Sequence, residues 1–201
     1  GVYKAPHKIW LEFMSARNLY QSMTEGIMSS QAEGLSVVEK RQIIEYLTME
    51  PFKESDLTPE YQYCQDRNIL ADPYDPKELV GWGHDTSRFV PREVAGLALE
   101  DIKNLKLKWS FGYPASLRAR SQPAIAMGSV FTGSQDGTVY ALDLDTGCVR
   151  WAFTASAEVR TGIVIGQVDS GRKLAFFGDI IANAYAVDAI TGELVWKIRT
   201  D

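Results

Sequence analysis

The chain is poor in cysteine, histidine and long apolar runs, and each shortage removes a class of function. No stretch of its 201 residues is apolar over the length that a bilayer-crossing helix needs. Its two cysteines, Cys64 and Cys148, allow one disulfide at most. A bridge and two free buried thiols are equally open on sequence grounds. Its two histidines, His7 and His84, lie far apart, and no Cys/His cluster has metal-ligand spacing. There is no Cys-x-x-Cys-His segment for covalent haem attachment, no glycine-rich phosphate loop and no Gly-x-Ser-x-Gly elbow. Basic residues do not predominate. A net charge of −5 gives no footprint for nucleic acid or an anionic membrane. No signal peptide is visible, and because the chain opens at Gly1 without an initiator Met, this carries no statement on compartment.

What is present is a repeat in a globular composition, 45% apolar and 23% charged. Asp143-Leu144-Asp145-Thr146-Gly147-Cys148-Val149-Arg150-Trp151 returns 45 positions on as Asp188-Ala189-Ile190-Thr191-Gly192-Glu193-Leu194-Val195-Trp196. The match extends back through Gly133 and Gly178, Tyr140 and Tyr185, and Ala141 and Ala186. A period of this length with several short strands per unit is the mark of propeller blades. A blade cannot bury both faces alone, so two blades predict further neighbours.

The order along the chain is helical, then irregular, then β. Residues 1–50 read as three short helices. His7 to Met14 carries Ile9, Trp10 and Phe13 on one face; Ser15 caps a helix through Met23; Ser36 and Glu39 form a capping box. The last helix sets Val37, Ile44 and Leu47 on one stripe, with Ile43 beside it, and Pro51 stops it. Residues 51–80, with scattered Pro51, Pro59, Pro73 and Pro76, read as a linker. Residues 81–201 read as the propeller part. Leu97 to Leu105 suits a short helix and Leu105 to Phe111 a strand, Trp109 standing 42 positions before Trp151 as the outer strand of an incomplete blade. Two four-stranded blades follow: 123–126, 129–133, 138–143 and 148–153, then 161–168, 173–178, 183–188 and 193–199. Asp136-Gly137, Asp145-Thr146-Gly147 and Asp169-Ser170-Gly171 supply hairpin turns. Trp151 and Trp196 are expected to pack between blades.

The Ala-x-Asp-x-x-Thr-Gly-x-x-x-Trp pattern resembles the tryptophan-docking motif of quinoprotein dehydrogenases, eight-bladed propellers that hold pyrroloquinoline quinone (PQQ) on their axis. That motif is shared with non-catalytic propellers and supports fold more than chemistry. Gly81-Trp82-Gly83, Ser87-Arg88-Phe89, Ala95-Gly96-Leu97 and Leu105-Lys106-Leu107-Lys108-Trp109 are similar to the lead-in of polyvinyl alcohol dehydrogenase-type quinohaemoproteins. Gly147-Cys148, Val159-Arg160-Thr161 and Gly178-Asp179 fit the same subgroup. Thr24-Glu25-Gly26-Ile27-Met28, Gly34-Leu35-Ser36 and Ile43-Ile44-Glu45-Tyr46-Leu47 resemble the C-terminal half of a class I cytochrome c. The fold implied is mainly β with a helical N-terminus: a partial PQQ-type β-propeller of about two blades after a partial cytochrome c-like domain.

The resemblance implies an alcohol dehydrogenase using PQQ, haem c and Ca2+ in the periplasm. It would oxidise a secondary alcohol such as polyvinyl alcohol, without a transmembrane segment, and pass electrons to an acceptor such as a cytochrome c. The catalytic base is expected beyond Asp201, so this segment alone is expected to be inactive. The alternative is a non-catalytic PQQ-like propeller scaffold. Met28 is implied as axial sulfur ligand to the haem iron in the intact protein and as a core residue in this segment, with Met23 as runner-up. Arg160 is implied as a quinone contact; its plain alternative is an ion pair with Glu158 or Asp179. Arg120 and Gln122 are looser quinone-contact candidates whose plain reading is a solvated rim. Asp179, Asn183 and His84 read as structural polar residues. The periplasmic context implied by the family would favour a Cys64–Cys148 bridge.

Overall fold

The computed structural model describes residues 8–11, 14–26, 28–58, 61–68, 80–83, 87–114, 116 and 118–200. Of the 7–14 helix, Lys8–Leu11 (α1) is observed; His7, Phe13 and the side chains of Ile9 and Trp10 lie outside the described residues. Ser15 caps Ala16–Thr24 (α2), its Oγ accepting from Asn18 N–H at 3.2 Å. Ser36 and Glu39 close the capping box on Val37–Thr48 (α3), so two otherwise orphaned donors are satisfied. Leu19 and Ile44 are buried where α2 meets α3. Val37 is not on that buried stripe: it lies in the first turn and is exposed, because α2 covers only the middle of α3. The helix ends at Thr48, three residues ahead of Pro51, with Met49 in the left-handed conformation.

The 51–80 stretch holds more order than a linker composition suggests. Glu54–Leu57 is a 3₁₀ turn. Tyr63 then pairs in parallel with Val149, Cys64 N–H donating to the Val149 carbonyl at 3.0 Å and Val149 N–H to the Gln62 carbonyl at 2.9 Å. Cys64 and Cys148 form a disulfide, Cα to Cα 5.1 Å. The pairing is invisible to periodicity because it is made by a single residue in register, whereas the bridge, open on spacing alone, is the one that the family resemblance favours. Pro59, Pro73, Pro76 and His84 lie outside the described residues.

Beyond the linker, Arg92–Ala95 (α4) and a 3₁₀ turn over Leu99–Asn104 lead in; the latter replaces the expected 97–105 helix. Residues 105–111 are not a strand. Their Leu/Lys alternation suits one, but no neighbouring strand among the described residues pairs with them. Two antiparallel four-stranded sheets follow. The first is Ala124–Ala126 (β1), Ser129–Gly133 (β2), Thr138–Asp143 (β3) and Val149–Thr154 (β4). The second is Val164–Gln167 (β5), Lys173–Gly178 (β6), Asn183–Asp188 (β7) and Leu194–Arg199 (β8). Both run in simple meander order, and both carry a register shift at the same repeat position, between Ala141 and Leu142 and between Ala186 and Val187.

The sheets stack face to face. Phe131, Val139 and Trp151 of the first meet Ile165, Ala175, Phe177 and Tyr185 of the second in one apolar cluster. The other face of the first sheet is closed by Tyr61, Trp109, Phe111 and Tyr113 around Tyr140. Each covered face is locked by the same device. Trp151 Nε1–H donates to the Ala189 carbonyl at 3.0 Å, and its ring lies over Gly192. Trp109 Nε1–H donates to the Leu144 carbonyl at 3.0 Å, with its ring over Gly147. Among the described residues Trp196 has no such partner: it pairs with Phe176 as Trp151 pairs with Phe131, but is 41% exposed against 6% for Trp151.

Candidate functional site

The strands β1 and β5 start from two segments, 118–123 and 158–163, that run side by side. Ser121 Oγ–H donates to the Thr161 carbonyl at 2.8 Å, and Ile163 N–H to the Gln122 carbonyl at 3.2 Å. Val159 is buried against Gly133, where an added Cβ would meet Val159 Cγ1 at 2.5 Å, so packing leaves no room for any other residue there. These bonds bring Arg120, Gln122 and Arg160 to one rim, each next to the bonded Ser121–Thr161 pair. Arg120 and Arg160 are exposed and Gln122 is half-buried.

Arg160 Nη2–H donates to Glu158 Oε2 at 2.7 Å. That bond raises the guanidinium pKa, against the opposing effect of burial. Four of its five donors are left for other partners among the described residues. Asp179, the other pairing considered for Arg160, is engaged elsewhere. Its carboxylate accepts from Ile181 N–H, Asn183 N–H, Asn183 Nδ2–H and Tyr185 O–H at 2.7–3.0 Å. It is therefore a turn-closing group, as is Asn183. Burial pushes the Tyr185 hydroxyl pKa up, and the adjacent Asp179 adds to the rise.

Residues that the sequence reading passed over stand at this rim. Trp82, half-exposed, lays its ring against Gly162, where an added Cβ would sit 3.0 Å from Trp82 Cε3. The Arg88 guanidinium lies 5.1 Å from the Trp82 ring centroid. Ile165 N–H donates to the Val80 carbonyl at 2.7 Å and holds this lead-in beside β5. Gly81-Trp82-Gly83 and Ser87-Arg88-Phe89 carry part of the family resemblance, which assigns neither Trp82 nor Arg88 a role at the site.

Met28 lies in the turns after α2, its N–H donating to the Ser22 carbonyl at 3.0 Å. It is exposed rather than a core residue of this segment, because the turn carries it past the α2–α3 contact; Met23 is half-buried. Among the described residues no group of three or more His, Cys, Asp or Glu can hold a metal ion, and no helix is long and apolar enough to cross a membrane.

A family model described as outer membrane protein assembly factor BamB (PQQ_2) matches residues 83–171. The polyvinylalcohol dehydrogenase of a Pseudomonas species is 32% identical over 88% of this chain and 30% of its own length. That of Sphingopyxis sp. (strain 113P3) is 31% identical over 98% of this chain and 33% of its own. The chain is similar in sequence to these two polyvinyl alcohol dehydrogenases. It spans about a third of the length of these relatives. The crystal structure of quinohemoprotein alcohol dehydrogenase from Comamonas testosteroni superposes with a TM-score of 0.51 at 20% identity, over 66% of this chain and 21% of that one. That likeness concerns the fold: two PQQ-type propeller blades after N-terminal helices.

Proposed function

We propose that the chain belongs to a PQQ-dependent dehydrogenase that oxidises a secondary alcohol, such as polyvinyl alcohol, in the periplasm. The observation that carries this reading is sequence similarity to polyvinyl alcohol dehydrogenases running through both the helical and the blade parts. In this reading residues 1–50 are the end of a cytochrome c-like domain, 51–80 its linker and 81–201 the first blades. The Cys64–Cys148 bridge supports an oxidising compartment.

The rim residues fit an anionic, carbonyl-bearing quinone. Arg160 offers free guanidinium donors beside its Glu158 pair, and among the described residues Arg120 and the Gln122 side chain make no hydrogen bond. When bound, PQQ supplies a two-electron acceptor for hydride from the alcohol carbon. Arg160 would hold and polarise the carbonyl edge, and Arg120 and Gln122 would fix the ring from the neighbouring segment. Met28, an exposed thioether, would offer a soft sulfur ligand to a haem iron, and such a ligand would raise the reduction potential. The described residues do not fit Ca2+, since they offer no acidic cluster.

The test uses the full-length protein loaded with PQQ, following dye-linked oxidation of a secondary alcohol. Turnover is expected, with Arg160→Ala weakening PQQ binding at least tenfold by fluorescence titration. A loaded full-length protein with no turnover would favour the second reading, a non-catalytic propeller scaffold, which the match of residues 83–171 to an assembly-factor family keeps open.

A further inference from the structure

The helices meet the first blade across a hollow. α2 and α3 pack on each other, and α2 on the 54–57 turn, but neither lies along a strand. A cavity of about 420 Å3 separates them from the blade, lined by Met14, Arg17, Thr48 and Phe52 on the helical side and by Pro114 and Asp136 on the other.

Arg17, in the first turn of α2, spans this gap. Its Nη2–H donates to Thr154 Oγ1 at the end of β4 at 2.6 Å, and its Nη1–H to the Tyr61 hydroxyl at 3.3 Å. Nη1 stands 3.6 Å from Asp136 Oδ2 in the β2–β3 turn. The Asp136 side chain is 2% exposed, and its position is fixed by the blade itself: it accepts from the Ser134 hydroxyl and from Thr138 N–H and Oγ1–H. One guanidinium thus ties together a helix, the linker, a turn and a strand end. A buried carboxylate that loses its cation is left uncompensated, which makes the open joint costly. The Cys64–Cys148 bridge and the 61–64 pairing hold the linker on β4, but they lie downstream of both helices and do not orient them.

We propose that Arg17 is a latch that sets the orientation of the helical unit on the first blade, while the bridged linker limits only how far that unit can travel. The proposal does not depend on the dehydrogenase reading, since it concerns the joint and not what either side carries.

Paired spin labels test it. Glu33→Cys and Asp169→Cys place labels at two exposed sites, one on each side of the joint, with the native bridge intact. The expected result is one narrow distance distribution with Arg17 present. Arg17→Met should broaden it at least twofold, and Thr154→Val, which removes the shortest bond, should broaden it by less. Arg17→Lys keeps the charge near Asp136 but not the fork, and should restore part of the narrowing. Unchanged widths in both Arg17→Met and Thr154→Val would overturn the latch. So would broadening accompanied by loss of amide-exchange protection throughout β1–β4, which would make Arg17 a stabiliser of the blade and not of the joint.

Discussion

Two turn positions show how single atoms govern a blade. Gly192 has φ of 75° and lies directly beneath the Trp151 ring, so a methyl there would sit 2.7 Å from Trp151 Cδ2. Gly192→Ala adds backbone strain to a clash with a buried indole and should cost about 2–4 kcal/mol in chemical denaturation. Ala182 is the converse case. It holds a left-handed φ of 65° at the repeat position that Gly137 occupies in the first blade. Ala182→Gly should therefore stabilise the chain by up to about 1 kcal/mol in the same assay, since relief of strain outweighs the added chain entropy. Asp143 and Asp188 close the equivalent turns below these blades. Burial pushes each carboxyl up, but bonds from Thr146 and Asp145, with the Arg150 charge, outweigh it at Asp143, and Arg172, Thr191 and Ile190 do so at Asp188. Both carboxyls end below the ordinary value. Groups lowered by folding stabilise above the unfolded pKa of about 3.9 and lose that contribution as pH falls through the folded value. The thermal midpoint should hold from neutral pH to about pH 5 and drop below pH 4, and Asp143→Asn should flatten part of that drop.

At the scale of elements, legibility followed repetition. The strands β2, β3, β6 and β7 have the residue bounds that the alternation and turn glycines give, because they are the inner strands of their sheets, paired on both edges, and packing of at least one face dictates register. The caps of α2 and α3 were equally readable, since a Ser or a Ser-x-x-Glu box acts within one turn. What a sequence window does not contain was missed. Residues 105–111 have strand pattern without a strand partner, Val37 has a helical stripe without a neighbour, and the 61–64 segment pairs with β4 more than eighty residues away. The rim residues were named from resemblance, and their juxtaposition depends on the Ser121–Thr161 bond, which no spacing encodes. Trp82 was passed over for the same reason. The Cys64–Cys148 bridge closes a loop with sequence separation 84. In the chain-entropy account such a loop contributes on the order of 4–5 kcal/mol, so reduction or Cys64→Ser should lower the denaturation midpoint, with linker amides losing exchange protection first. Equal midpoints with and without reductant would sink that expectation.

Across the whole molecule the two ends of the sheet stack differ. The first blade has its outer strand paired by 61–64 and its outward face closed by aromatic rings. The second presents β8 with every residue exposed, Leu194, Trp196 and Ile198 among them. An unpaired edge beside an uncovered apolar face invites association. Sedimentation velocity should show concentration-dependent self-association of this 201-residue chain, reduced by Val195→Lys or Trp196→Glu without loss of β-sheet circular dichroism.

The tryptophan locks carry a consequence for how such molecules grow by duplication. Each indole is seated on a glycine belonging to the following sheet, so the smallest self-sufficient module straddles a sheet boundary instead of coinciding with one sheet. A copied segment keeps its seat intact only when it spans a whole period, 42 residues from Trp109 to Trp151 and 45 from Trp151 to Trp196, wherever in the period the break falls. Insertions of partial length would leave an indole facing the wrong turn, which restricts viable rearrangements of the sheet stack to integral steps.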